Sequence, residues 1–196
     1  MEYNLDMEEI EVKFLGIDPV EIEKKLISLG AGKIYDRVFR DRVFDFPDWR
    51  LNDANSWLRL RDKGDKITLS LKKRLGVEKG QNDQGMEELE TIVDNFEMTT
   101  KILEKLGMIQ KFNQEKRRVH FIINNVDVDI DYYPLIPPHL EIEGKNWDEV
   151  RGVAERLGLN WNDRKKMSAM QVFEIYGVNE KDYGVINFDK QVKRDE

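Results

Sequence analysis

In the segment EEIEVKF, residues 8–14, Glu9, Glu11 and Lys13 alternate with Ile10, Val12 and Phe14. A period of two puts the apolar side chains on one face of a β-strand and the charged ones on the other. The same alternation recurs along the chain. Arg59 and Arg61 alternate with Leu58 and Leu60, and Thr68, Ser70 and Lys72 with Ile67, Leu69 and Leu71. Glu88 and Glu90 flank Leu89, and Lys116, Arg118 and His120 interleave with Val119 and Phe121. Asp127, Asp129 and Asp131 alternate with Val126, Val128 and Ile130, and Glu141 and Glu143 with Leu140 and Ile142. A further strand is predicted over 34–45, ending before Pro47. Asp62-Lys63-Gly64-Asp65 and Asn124-Asn125 are hairpin turn signals between such runs.

Helical spacing replaces alternation in a few places. Asp18 is a predicted N-cap, Pro19 follows in the first turn, and Val20, Ile22, Leu26 and Leu29 form one stripe. Further helices are predicted over 98–106, 147–157 and 166–177, each followed or closed by a glycine. Residues 47–56 and 74–85 read as loops, and the polar tail 178–196 as part of the same domain or ordered only in part by docking. About eight strands arranged as hairpins and meanders, with about three or four helices between groups, predict an α+β fold. The expected form is an antiparallel barrel with helices packed outside.

Composition sharpens this picture. Of 196 residues, 40% are hydrophobic, enough for a packed core, and 36% are charged, well above the usual quarter or so. The charges alternate with Val, Ile, Leu and Phe, so disorder does not account for them. The net charge of 32 − 39 = −7 disfavours nucleic acid as a bulk electrostatic partner. There is no cysteine, which excludes disulfides and thiolate metal sites. The acidic N-terminal segment has no apolar core of a signal peptide, and no run reaches the ~18 apolar residues of a membrane span. A soluble, cytoplasmic protein is expected, with no membrane partner; a homodimer is compatible with the sequence.

Most of the charged strand faces carry a single sign. An open sheet with a solvated face would mix Thr, Ser, Lys, Glu and Gln along each strand. Like charges two residues apart repel and require compensation. If the helices cover the apolar faces, the charged faces look inward, and a barrel of about eight strands has room for side chains or one small ligand. Carboxylates suit hard cations such as Mg²⁺ or Mn²⁺, and guanidinium and ammonium groups suit a polyphosphate. There is no glycine-rich phosphate loop, so side chains would hold the phosphates.

These motifs resemble the CYTH family of class IV adenylate cyclases and thiamine triphosphatase, within the triphosphate tunnel metalloenzymes. Glu9-x-Glu11-x-Lys13 is similar to the family's ExExK signature. RDRVFDFP, WLRLR, ITLSLKK, MEELE, EKRRVHF, VDVDID and LEIEG follow in the family's order, over about residues 8–176. The resemblance implies one tunnel domain, 1–176, with the tail 177–196 beyond it. It implies Glu9, Glu11 and Lys13 as catalytic residues. Lys13, Arg59, Arg61, Lys72 and Arg118 become the triphosphate cradle, and Glu9, Glu11, Glu88, Glu90, Asp129, Glu141 and Glu143 the ligands of Mg²⁺ or Mn²⁺. Asp127 and Asp131 share the parity of Asp129, and parity does not choose among the three. Val43 and Ala169 replace tyrosines common in the family, and PLIPPH stands where a glycine-rich turn is usual.

The implied activity is hydrolysis of inorganic triphosphate, thiamine triphosphate or a nucleoside triphosphate. The alternative is a class IV adenylate cyclase making cyclic AMP and pyrophosphate. Residues 1–7 lack the His-Phe pair often found upstream of ExExK in cyclase-type members, which favours hydrolysis. A non-catalytic polyphosphate binder is the third reading. His120 reads as a satisfied structural histidine and His139 as a turn residue. Trp49, Trp57, Trp147 and Trp161 read as core or interface anchors, and Asp163 to Lys166 as a solvated turn.

Overall fold

The computed structural model describes residues 10–75 and 86–194. Glu9 and positions 76–85 of the expected loop lie outside the described residues. The chain divides into two compact units: one holds the described residues up to Arg37 and Arg117–Glu180, the other Val38–Lys116 and the residues from Lys181 onward.

The first unit is built on strands β1 (Ile10–Phe14), β7 (Val126–Tyr133) and β8 (Ile136–Gly144), with parts of β2 (Gly32–Asp45) and β6 (Ile109–Ile123). Its antiparallel order is β1-β8-β7-β6. Helices α1 (Pro19–Ser28) and α4 (Trp147–Arg156) cover one face. Val12, Phe14, Val119, Phe121, Val128, Ile130, Leu140 and Ile142 bury against Ile22, Leu26, Val150, Val153 and Leu157. Asp18 caps α1, accepting from the amides of Val20 at 2.9 Å and Glu21 at 3.2 Å, as expected. Asn146 caps α4 at the Glu149 amide. Ser168 opens α5 (Ala169–Ile175) with a capping box to Gln171. Asn124 and Asn125 both take positive φ, the conformation a two-residue hairpin turn requires.

The second unit carries the rest of β2 and β6 with β3 (Ser56–Asp62), β4 (Ile67–Arg74) and β5 (Met86–Val93), in the order β2-β3-β4-β5. The β3–β4 turn is the predicted one, with Gly64 at φ 86° and its amide donating to Asp62 at 2.8 Å. Helix α3 (Phe96–Lys105) packs Phe96 and Leu103 on Phe44 and Leu60. It starts before the expected 98 because Asn95 caps it, accepting from Met98 at 2.8 Å. A short helix, α2 (Arg50–Asp53), occupies the expected loop. It is held by Asp45, which accepts from the amides of Leu51 and Asn52 at 3.0 Å.

The antiparallel sheet with helices is the expected α+β class. The closed barrel is not. Among the described residues β1 and β5 end the sheet unpaired with one another. On the β1 side the physical reason is local. The backbone amide and carbonyl of Lys13 are both taken by Lys165, at 2.8 Å each way, so that edge bonds to a loop. Two strands in the tail add to the expected set. β9 (Tyr183–Ile186) runs parallel to β6, with Asn113 opposite Val185, and β10 (Gln191–Lys193) pairs with β9.

Candidate metal and phosphate sites

In the first unit, strand register assembles a charged layer on the face opposite the helices. Glu11 lies opposite Glu143, which lies opposite Asp127. One row along, Lys13 faces Glu141, Glu141 faces Asp129, and Asp129 faces His120. In the third row Asp131 stands between His139 and Arg118. The solvated-face reading does not hold for this layer: Lys13 is 4% exposed, Asp129 3%, Asp131 1% and Glu141 8%. Buried charges must be paired or bound, and these are. Arg118 binds Asp131 through two parallel bonds of 2.7 and 2.6 Å, contacts Asp129, and reaches Glu141 at 3.1 Å. Burial alone would lower the Arg118 pKa. Asp131 and Glu141, with Asp129, more than offset it and hold the guanidinium well above its ordinary value. Lys13 contacts Glu11 and lies 3.0 Å from Glu141. Carboxylate oxygens of Glu11, Glu141 and Glu143 all fall within 4.8 Å of one another. Hard oxygen donors at that spacing fit Mg²⁺ or Mn²⁺.

Of the two histidine expectations, the satisfied structural His120 agrees with the structure and the turn residue His139 does not. His120 is held between carboxylates, its Nδ1 2.7 Å from Asp129 and its Nε2 3.3 Å from Asp127, with the Tyr35 ring stacked at 4.8 Å. His139 is no turn residue. It lies inside β8, fully buried, opposite Asp131 and stacked on Tyr133. The turn is shorter than PLIPP suggests, with Leu135 at φ 72°, and the pairing slips between Asp131 and Tyr133.

The second unit holds the cationic layer. Arg61 faces Asp41 on one side and Thr68 on the other. Arg59 faces Ser70, which faces Glu90, and Lys72 faces Glu88. Asp41, which sequence reasoning missed, binds Arg61 through two bonds of 2.6 and 2.5 Å. No alternation signals it, because β2 carries charge on both faces in this stretch. Lys72 reaches Glu88 at 2.8 Å, Arg59 reaches the same carboxylate only at 3.7 Å, and Ser70 donates to Glu90 at 2.7 Å. Glu88 and Glu90 thus sit exposed on β5 among cations, in a different unit from the Glu11–Glu141–Glu143 group.

Among the described residues the cations of this layer crowd one another. Burial, then the neighbouring Arg61, pushes Arg59 below its ordinary pKa, and its buried Nε has no hydrogen-bond partner among the described residues. Burial and Arg59 do the same to Lys72, and burial and Arg61 to Lys63. A cluster whose cations disfavour one another gains from an incoming anion. Asp41 shows the converse. Burial raises its carboxyl, but Arg61, with Arg59 and Lys116, outweighs burial and holds it below its usual value. A depressed carboxyl stabilises the fold above its unfolded pKa, about 4, and that stability is lost as pH falls through the folded value. Urea melts should show Asp41→Asn destabilised by up to about 3 kcal/mol at pH 7. The gap to the parent chain should close as pH drops below about 4, and a pH-independent gap would remove this account.

No helix among the described residues is long and apolar enough to cross a membrane. The sequence model of the CYTH domain matches residues 7–181. No curated protein gives a significant match. Among solved structures, a Pyrococcus horikoshii protein is 26% identical with a TM-score of 0.63, covering 84% of this chain and 98% of that one. A proposed adenylate cyclase from Vibrio parahaemolyticus is 14% identical with a TM-score of 0.66, covering 85% and 97%. HpAC1 from Hippeastrum, a proposed adenylyl cyclase that reveals a dominant triphosphatase activity, is 18% identical with a TM-score of 0.61, covering 87% and 95%.

Proposed function

The chain belongs to the CYTH family, whose members are triphosphatases or cyclase-like, and on that premise we propose that it is a divalent-metal-dependent triphosphatase. The observation that carries the reading is the cluster of Arg59, Arg61 and Lys72 on one sheet face, in which the buried Arg59 Nε has no hydrogen-bond partner among the described residues. Arg59, Arg61 and Lys72 bind phosphate oxygens, and Asp41 keeps the Arg61 fork oriented for two of them. Glu11, Glu141 and Glu143 hold the metal, with Asp129 and Glu9 in the acidic set. Lys13 and Arg118 limit the repulsion among these acids and serve as further phosphate donors. Bound there, Mg²⁺ or Mn²⁺ would offset phosphate charge and acidify an attacking water.

The substrates proposed are inorganic triphosphate, thiamine triphosphate or a nucleoside triphosphate. Cyclisation of ATP is the alternative, and the HpAC1 precedent favours hydrolysis. Incubation with each triphosphate and Mg²⁺ or Mn²⁺ should release orthophosphate, with EDTA abolishing turnover. Cyclic AMP and pyrophosphate from ATP would identify the cyclase instead. Binding without product under either metal would leave only a polyphosphate binder. Metal at about a hundred times its Kd should stabilise the fold by about 2.7 kcal/mol in a thermal shift assay.

A further inference from the structure

A concave site lies in the first unit, where α4 meets the 3₁₀ turn Trp161–Asp163. Its lining is Trp147, Asp148, Arg151, Trp161 and Arg164, around about 240 Å³. The indoles of Trp147 and Trp161 meet edge to face at 6.2 Å. The Arg164 guanidinium stands 4.6 Å over Trp161, and the Lys166 ammonium 5.7 Å over Trp147. Trp147 is 43% exposed, so of the expected core or interface roles the core one does not hold.

Internal packing accounts for only part of this. Arg151 has a carboxylate partner, Glu155 at 2.7 Å. Arg164 donates to the Trp161 carbonyl at 2.9 Å, and among the described residues no carboxylate pairs with Arg164 or Lys166. Two indoles, two arginines and one carboxylate therefore border the same hollow, with Lys166 beside it over Trp147.

We propose that this hollow is a binding site for a nucleoside monophosphate, separate from the metal and phosphate layers. Each lining type has a counterpart in that ligand. An indole stacks a planar base once the exposed cation over it, Arg164 or Lys166, swings to the phosphate. Arg164 and Lys166 supply charge-assisted donors for the phosphate. Asp148 supplies the acceptor that a ribose diol or an exocyclic amine needs. At about 240 Å³ the hollow is below the ~300–1,000 Å³ of sites that enclose a drug-sized ligand, so it seats the base while the sugar and phosphate lie at its rim. Bare phosphate would leave the indoles unused, and an uncharged aromatic would leave the cations unused. Residues gripping the phosphate flank Lys165, whose backbone bonds to Lys13 in both directions.

The proposal does not rest on the triphosphatase reading. The test is AMP titration of the full chain in EDTA, followed by tryptophan fluorescence and calorimetry. AMP should bind saturably with Kd below about 1 mM, and adenosine or inorganic phosphate alone at least about tenfold more weakly. Arg164→Ala with Lys166→Ala should weaken AMP at least about tenfold and leave triphosphate hydrolysis unchanged, because both side chains are exposed and outside the proposed machinery. Arg59→Met, in the other unit, should leave AMP binding intact. The proposal fails if AMP does not bind at 10 mM, a ceiling about tenfold above the expected Kd. It also fails if the double variant binds AMP as the parent does, or if Arg59→Met abolishes the binding.

Discussion

Arg59→Met should lower kcat/KM for triphosphate hydrolysis by about 10²- to 10³-fold, the range typical of losing one preorganised donor at a developing charge. The same variant should melt within a few degrees of the parent chain, or above it. Most substitutions at a buried charge destabilise, so the combination is diagnostic. Arg59 is an unusual cation: burial and Arg61 both act against its charge, and among the described residues its carboxylate contact, Glu88, is 3.7 Å away. Methionine keeps much of the volume, removes the charge and relieves Arg61 and Lys72. Replacing poorly compensated buried charge by apolar volume is often neutral or stabilising. Stability given up at a site in exchange for function has this signature. Parallel kinetics and calorimetric melts check it, and a variant that loses stability while keeping activity would make Arg59 structural.

Glu141→Gln should be costly in both respects. Its carboxylate stands 3.0 Å from Lys13 and 3.1 Å from Arg118 and belongs to the Glu11–Glu143 group. Removing its charge leaves two buried cations less compensated, a loss of about 3–5 kcal/mol where a buried pair is broken. It also deletes a proposed metal ligand, so activity should fall at least about 10²-fold, as for removal of an electrostatic stabiliser. Mn²⁺ titration should show a matching loss of affinity. Glu143→Gln is the control. Glu143 is half-buried and faces Glu11 and Asp127, both acids, across the sheet. Neutralising it eases the repulsion from those two acids, so metal affinity should drop with a smaller loss of melting temperature than in Glu141→Gln. Equal stability losses in the two variants would contradict the division of roles. So would a Glu141→Gln variant with unaltered Mn²⁺ affinity.

Much of the site was legible from residue parity alone. Alternation at Glu11/Lys13, Asp127/Asp129/Asp131 and Glu141/Glu143 placed those side chains on one face of their strands, and the structure puts them there. What parity could not do was choose partners. Asp127, Asp129 and Asp131 are equivalent by spacing. Register decides that Asp131 and Asp129 face Arg118 and His120, and puts Asp127 opposite Ile122. His139 looked like part of a proline turn because Pro137 and Pro138 precede it, yet it keeps the regular β7–β8 register opposite Asp131, and the slip lies on the turn side of it. Asp41 went unnoticed because its worth depends on Arg61, 20 residues away.

The sequence by itself determined the local structure: strand faces, the Asp18 cap, the Gly64 and Asn124-Asn125 turns, and the charged identity of one sheet face. These follow from steric and hydrogen-bonding preferences acting within a few residues. Tertiary structure alone decided the rest. It made the charged layer of the first unit buried instead of wet, joined β9 to the polar start of β6, and gave the outer edge of Lys13 to Lys165. Those outcomes depend on which distant segments compete for the same backbone groups, and that competition is settled only when the chain has folded.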